Sequence, residues 1–195
     1  MGAVQIAGCS AAGKSTVAAE LARRGLVSID ADDDPRLARF VDQDGAVVGE
    51  EPAAPDLAWL DRHGWAWDPA RLDELIEAAA PSTLYVCGGA DNQHELAGRF
   101  ARVFLLEIDE RTMLARLDAR RDHHDWGRIG DTREYLRRKL PSLQHGLRAL
   151  GAIAIDARQP VDQVVDEILS RTLRYCSDGR ENGSAAPGSP GASFQ

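Results

Sequence analysis

The sequence predicts an α/β fold in three layers, with a five-stranded parallel sheet held between helices. Three observations predict it. Short, largely apolar runs alternate with longer stretches whose apolar residues recur at helical spacing. The runs are apolar at consecutive positions rather than at every second one, the pattern of strands covered on both faces. The first run, Val4-Gln5-Ile6-Ala7, passes through a glycine-bearing loop straight into a helix-forming segment.

Taken in order, Val4 to Ala7 is the first strand, and Gly13 to Arg24, rich in Ala, Glu and Leu, is the first helix. Leu26-Val27-Ser28-Ile29 is the second strand and ends in the acidic run Asp30-Ala31-Asp32-Asp33-Asp34 before Pro35. Residues 41–68 predict a small insert on the substrate side, with Asp44-Gly45 as a hairpin signal between Val41 and Val47-Val48, followed by Trp59, Trp65 and Trp67. A helix starts at Asp68-Pro69, buries Leu72, Leu75, Ile76 and Ala79, and stops at Pro81-Ser82. Leu84-Tyr85-Val86-Cys87, ending at Gly88-Gly89, and Val103-Phe104-Leu105-Leu106 are the third and fourth strands. Helices follow at 110–121 and 132–150, the second with a stripe of Leu136, Leu140, Leu143, Leu147 and Leu150. The polar segment 121–131 between them is the expected lid. Ala152-Ile153-Ala154-Ile155 is the fifth strand, and the last helix carries Val161, Val164, Val165, Ile168 and Leu169 and ends near Arg174. Residues 1–175 then form one domain, and 176–195, mostly Gly, Ser, Pro and Ala, an expected disordered tail.

Bulk properties narrow the function. A chain of 195 residues with 44% hydrophobic content suits one domain with a single sizeable core. A formal net charge of -8 argues against a general nucleic-acid or anionic-membrane binder, whose affinity rests on a basic surface. No stretch approaches the roughly 18 consecutive apolar residues of a membrane span, and the N-terminus has no signal-peptide pattern, so a cytoplasmic location is expected. Cys9, Cys87 and Cys176 are odd in number and lack metal-ligand spacing, which predicts reduced thiols rather than a disulfide framework. A monomer or a homodimer is expected.

The sharpest motif is Gly8-Cys9-Ser10-Ala11-Ala12-Gly13-Lys14-Ser15, continued by Thr16, between a strand and a helix. Its glycines permit a tight loop in which backbone N–H groups and a positive helix N-terminus surround phosphate oxygens. Lys14 supplies a cation for the β- and γ-phosphates, and Ser15 a hydroxyl for Mg²⁺. The run Gly8–Thr16 is therefore a P-loop for a nucleoside triphosphate. An Asn-Lys-x-Asp guanine reader is absent, since the only other lysine is Lys139. Glu107-Ile108-Asp109-Glu110 imitates the acidic strand end of motor ATPases, but Asp109 is better placed as a helix N-cap.

Over residues 3–170 the chain resembles the small P-loop metabolite kinases, the group containing shikimate kinase, gluconate kinase and the nucleoside monophosphate kinases. The P-loop, Asp30-x-Asp32 after the second strand, Cys87-Gly88-Gly89-Ala90 after the third and the arginines of 116–128 carry the resemblance, and Asp156-Ala157-Arg158-Gln159-Pro160-Val161 looks like the adenine-side loop. The Asp-Gly-Phe-Pro-Arg motif of adenylate kinases is missing, and Gly88-Gly89-Ala90-Asp91-Asn92 matches the glycine run of shikimate kinase only in part. The resemblance implies the P-loop kinase fold and ATP with Mg²⁺ as co-substrate. It also implies Asp30 near the metal through water, Asp32 on a substrate hydroxyl, and Arg116 and Arg158 on the nucleotide side.

A transferring phosphoryl group gathers charge that lid arginines can stabilise while water is excluded, which singles out Arg116, Arg120 and Arg128. Lys14, Asp30, Arg120 and Arg128 are thus the candidate catalytic residues, and Asp32, Gly88 and Gly89 the candidate acceptor-binding ones. Arg137 or Arg138 is an alternative contact for an anionic substrate. His123-His124 with Asp122 and Asp125 is a weak metal signal on a polar loop. The tryptophans serve either packing of the insert, the reading preferred here, or stacking of a base or sugar. The expected activity is transfer of the γ-phosphoryl group of ATP to a small nucleoside, nucleotide or hydroxylated metabolite. An ATP-driven switch acting on a protein partner is the alternative.

Overall fold

The computed structural model of the protein describes residues 2–120 and 126–181, with residues 174–181 as backbone alone. Seven strands are present among them: β1 (Ala3–Gly8), β2 (Val27–Asp30), β3 (Ala38–Val41), β4 (Gly64–Trp67), β5 (Leu84–Cys87), β6 (Phe100–Glu107) and β7 (Ile153–Asp156). The α-helices are α1 (Lys14–Arg23), α2 (Leu57–Leu60), α3 (Pro69–Ala79), α4 (Gln93–Leu96), α5 (Glu110–Ala119), α6 (Thr132–Ala149) and α7 (Val161–Glu181). Five strands form one parallel sheet in the order β2-β5-β1-β6-β7, and β3 and β4 pair antiparallel in a separate ribbon.

The side-chain period of two sorts the sheet into two cores. Val4 and Ile6 of β1, Tyr85 and Cys87 of β5, Phe104 and Leu106 of β6 and Ile155 of β7 face Val17 and Leu21 of α1, Met113 and Leu117 of α5, and Val164, Val165 and Ile168 of α7. The alternate residues Ala3, Leu84, Val86 and Phe100 meet Leu72 of α3 and Leu96 of α4 on the opposite face. Helix α6 serves both, because Leu136 and Leu140 join the first core while Leu147 packs with Ala7 and Leu105 on the other side. Removing each large side chain from water in this way stabilises the fold by roughly 1.5–3 kcal/mol. The three-layer α/β architecture expected from the sequence is present.

Local chemistry sets the helix ends. Asp68 caps α3 through the N–H groups of Ala70 and Arg71 at 2.9 and 3.0 Å, with Pro69 in the first turn. Asp109 caps α5 by accepting from the Thr112 N–H at 2.7 Å, the capping role expected for it.

Three details differ from the sequence reading. The insert starts earlier, since β3 opens at Ala38, and beyond the Asp44-Gly45 turn, which brings Val47 back to a bridge with Val41, β3 has a longer pairing with β4. The expected short hairpin is present, with the Asp42 N–H on the Ala46 carbonyl and the Val48 N–H on the Phe40 carbonyl, both at 2.9 Å, and β3 pairs with β4 as well. Leu150 ends the leucine stripe exposed, because α6 finishes at Ala149 and Leu150 is the residue that caps it. Helix α7 runs past Arg174 to Glu181. Of the lid, residues 121–125 lie outside the described residues, as do 182–195 of the tail.

Candidate active site

In the sheet order, the chain leaves β1 toward β2 on one side and reaches β6 and β7 on the other. The carboxyl end of β1 is therefore where the connections diverge and a crevice opens. A cleft of about 1050 Å³ lies there, lined by residues 7–17 with Asp30, Asp32, Gly89, Arg116 and Arg120.

The phosphate loop closes on itself through the Ala12 N–H, which donates to the Cys9 carbonyl at 3.2 Å. Two residues turn its backbone inward, Ala11 at φ 61° and Gly13 at φ 104°. Gly13 adopts that left-handed conformation without steric cost, whereas at Ala11 it costs roughly 1–2 kcal/mol. Gly13 also occupies the N-cap of α1, where it offers no side chain, and no acidic residue stands in the first turn. The first-turn N–H groups and the positive end of the helix are thus directed at an anion. Lys14 folds back over the loop with Nζ 3.1 Å from the Cys9 carbonyl. Arg116 braces the loop from α5: Nη1 donates to the Ala11 and Ala12 carbonyls at 3.2 and 3.1 Å, and Nη2 to the Ala157 carbonyl at 2.7 Å.

Across the cleft stand the acids at the end of β2. Asp30 accepts from the Asp32 N–H at 3.2 Å, capping the short 3₁₀ turn Ala31–Asp33. Asp32 accepts from the indole N–H of Trp65 at 3.0 Å. Its carboxyl keeps an open face toward the cleft, but the surrounding atoms strip enough hydration to push its pKa up, against the opposing pull of Lys14 and the Trp65 bond. Burial likewise pushes up the thiols of Cys9 and Cys87, which keeps both protonated.

The two glycines after β5 part company. Gly89 lines the cleft. Gly88 lies under the insert, where a Cβ would come within 2.5 Å of the Trp67 ring and 2.7 Å of the Ala31 methyl. The expected acceptor-side pair is thus one cleft residue and one packing residue.

The arginines divide as well. Arg116 and Arg120 line the cleft, and Arg128 donates to the Arg120 carbonyl at 3.0 Å without lining it. Arg158 is turned away, bound to Asp156 at 2.8 and 2.9 Å and within 3.5 Å of Asp109. Arg137 and Arg138 both reach Glu134. Arg121, Asp122, His123, His124 and Asp125 lie outside the described residues.

Several cleft residues escaped the sequence reading: Phe40, Glu51, Asp91, Trp126, Tyr135 and Lys139. Phe40 gathers Trp65 at 4.9 Å between ring centroids, Trp59 at 5.0 Å and Trp126 at 5.7 Å. The tryptophans therefore split: Trp67, 1% exposed, is core, while half-buried Trp65 faces the cleft. Trp65 is also clamped through its backbone, donating to the Asp91 carboxylate at 2.8 Å and accepting from the Asp91 N–H at 2.7 Å. Asp91 in turn holds Lys139 of α6, which also donates to the Tyr135 hydroxyl at 2.9 Å. The sequence signal for this pair was there to find, since Tyr135 and Lys139 stand four apart beside the leucine stripe.

No family model matches the chain, and no curated protein sequence does. Solved structures do. A gluconokinase from Sinorhizobium meliloti 1021 is similar with a TM-score of 0.56 at 18% identity, over 93% of this chain and 97% of that one. A shikimate kinase from Acinetobacter baumannii, in complex with shikimate, gives 0.56 at 20% identity over 90% and 94%. A deoxyadenosine kinase from M. mycoides, with bound dATP, gives 0.52 at 16% over 88% and 99%. At these identities the likeness concerns the fold: the chain has the fold of the P-loop small-molecule kinases.

Proposed function

We propose that this chain, built on the fold of the P-loop small-molecule kinases, transfers the γ-phosphoryl group of ATP to a hydroxyl of a small molecule. The observation that carries the proposal is a single cleft with two chemically distinct halves. One half is the phosphate loop with Lys14, and the other is the carboxylate pair Asp30 and Asp32 facing it beside the insert. A nucleotide switch needs the first half alone. The kinases with the same fold add weight, since each is named for a small-molecule acceptor.

In this reading the residues act as follows. The loop N–H groups and Lys14 hold the β- and γ-phosphates, with Arg116 fixing the loop's shape from behind. The acceptor hydroxyl hydrogen-bonds to Asp32, which orients its oxygen in line with the γ-phosphorus. That oxygen forms the new P–O bond as the bond to the β–γ bridging oxygen breaks; ADP leaves, and the hydroxyl proton passes to Asp32 and on to water. A carboxylate whose pKa is raised is better suited to take up that proton than an ordinary surface acid. Arg120 and Arg128, next to residues 121–125, are the proposed source of positive charge for the transferring group.

Ser15 and Asp30 both line the cleft and offer hard oxygen donors, the kind that suits Mg²⁺, which binds one or two protein oxygens together with phosphates and water. Bound there with ATP, the ion would neutralise phosphate charge. No helix among the described residues is long and apolar enough to cross a membrane. We further propose a small-molecule rather than a nucleic-acid substrate, in keeping with the net charge of -8.

The test is ATP consumption with product mass over a panel of nucleosides, nucleotides, sugars and polyols. An acceptor that raises ADP release and gains one phosphate supports the proposal. If every acceptor leaves ADP release at the basal rate while a protein partner raises it, the switch reading replaces it.

A further inference from the structure

The acceptor half of the cleft has a charge and a surface of its own, and what they select rests on the kinase reading above. Among the described residues four cations line the whole cleft: Lys14, Arg116, Arg120 and Lys139. The first three stand on the phosphate side. Lys14 lies over the loop, Arg116 is engaged by three loop and β7-end carbonyls, and Arg120 follows the end of α5 as its extended C-cap residue. Lys139 is the acceptor-side cation, and its ammonium is held by the Asp91 carboxylate at 2.5 Å. That contact and the Tyr135 hydroxyl keep it charged against the cost of its burial.

Asp32, Asp33 and Glu51 also line the cleft, and among the described residues no lysine or arginine pairs with any of them. The arginines of the neighbouring elements are spent elsewhere: Arg39 on Asp68 at 2.6 Å, Arg71 on Asp34 at 2.9 Å and Arg133 on Asp118 at 2.8 Å. Residues 121–125, outside the described residues, carry one arginine against two aspartates, so their sequence adds no net positive charge. Ionised, Asp32, Asp33 and Glu51 each repel an approaching anion, and their placement along the same cleft adds the repulsions. Between these acids the wall is aromatic, built from half-buried Phe40, Trp65 and Trp126. Such a wall holds the flat face of a ring, and it favours a cation over an anion because ring faces are negative.

We infer that the acceptor is a ring-bearing hydroxyl compound without an anionic group, held by its ring face on Trp65 and Trp126 and guarded against carboxylates and phosphate esters by Asp32, Asp33 and Glu51. Its class includes nucleosides, neutral sugars and cyclitols, and amino sugars. It excludes sugar acids and nucleotides as acceptors. Like charges set face to face across a binding site are a strong means of rejecting the wrong partner.

The experiment uses the full chain with ATP and Mg²⁺ and matched ring-bearing acceptors: adenosine against AMP, and glucose and glucosamine against glucuronate. Turnover is read as ADP release with product mass, and occupancy of the cleft independently as tryptophan fluorescence. The neutral or amine member should lead its acid by about ten-fold or more in kcat/KM, or in affinity where a pair only binds. Glu51→Lys and Asp33→Lys should each narrow that ratio several-fold. An acid used as well as its parent overturns the inference and leaves phosphoryl transfer standing. So does a ratio unchanged in both lysine variants, or a fluorescence signal indifferent to every ring compound. Selective binding of the neutral members with ADP release fixed at the basal rate has the opposite meaning: it upholds the selectivity and sinks the kinase reading.

Discussion

Lys14 and Asp32 face each other across the cleft, and the energetics of the two residues predict opposite consequences of removing their charge. Lys14 is the only cation of the phosphate loop, and its ammonium lies over the loop backbone at Cys9. Lys14→Ala should lower ATP-dependent turnover on the order of 10²-fold or more, the scale for losing one charged group aimed at a reacting phosphate. Calorimetric ATP binding and ADP release measure this, and unchanged values for both would refute the phosphate-loop assignment. Asp32 differs because its folded-state pKa is raised chiefly by desolvation. A raised carboxyl binds its proton more tightly folded than unfolded, so its contribution to stability falls as pH rises from the ordinary value of 3.8 through the folded value. At neutral pH the full penalty is present. Asp32→Asn should therefore raise the melting temperature at pH 7 while lowering kcat/KM for the acceptor on the order of 10²-fold. A variant less stable than the parent at pH 7 and no more stable at pH 4 would contradict the desolvation argument.

At the scale of elements, the ribbon β3–β4 gives the cleft its second wall, and Gly88 determines how closely that ribbon docks. Trp67 at the end of β4 covers the backbone after β5, with its ring where any Cβ on Gly88 would lie. Gly88→Ala should cost about 1–3 kcal/mol, the range for forcing an extra carbon into a packed site, and tilt β4 enough to disturb the Trp65–Asp32 bond. Urea denaturation and the acceptor KM would both register it; a change of neither would mean that the ribbon moves away freely. The sequence made the elements of the main sheet legible because each is a short apolar run or a helix with one apolar face, and burial on a fixed period leaves that trace. The partner of β3 left none. Asp44-Gly45 announces the local turn, which is present, but the longer pairing joins Ala38 to Trp67 across the insert, and no local pattern encodes so distant a pairing.

For the whole molecule, the surface is laced with ion pairs that hold carboxyls below their ordinary range. Hydrogen bonds from Arg23 and Arg24 lower Glu20 from 4.5 to about 2, and those from the Arg158 side chain and N–H lower Asp156 from 3.8 to about 2. Asp73, Asp118 and Glu134 shift the same way beside Arg99, Arg133 and Arg138. A depressed carboxyl contributes stability above its unfolded pKa and loses it as pH falls through the folded one. The contribution of these groups should therefore be intact above about pH 5 and drain away between pH 4.5 and 2. Each pair is exposed and individually weak, and salt screens it. Thermal melts from pH 7 to 2 at low and at 0.5 M salt measure both effects; a melting temperature independent of pH below 4 would show that the pairs contribute nothing.

The sequence by itself determined the three-layer α/β fold, the strand–loop–helix unit that presents the phosphate loop, and the candidacy of Asp30 and Asp32, because each depends on neighbours in the chain: a period, a turn, a residue at a strand end. Only the tertiary structure decided which of the other residues share the cleft. It separated Gly89 from Gly88, Arg116 and Arg120 from Arg158, and Trp65 from Trp67, and it added Phe40, Glu51, Trp126, Tyr135 and Lys139. Those memberships follow from a crossover that carries β1 to the middle of the sheet and an insert that folds back over its carboxyl end. Contacts made by residues far apart in the chain depend on the packing of every layer at once, which no local pattern records.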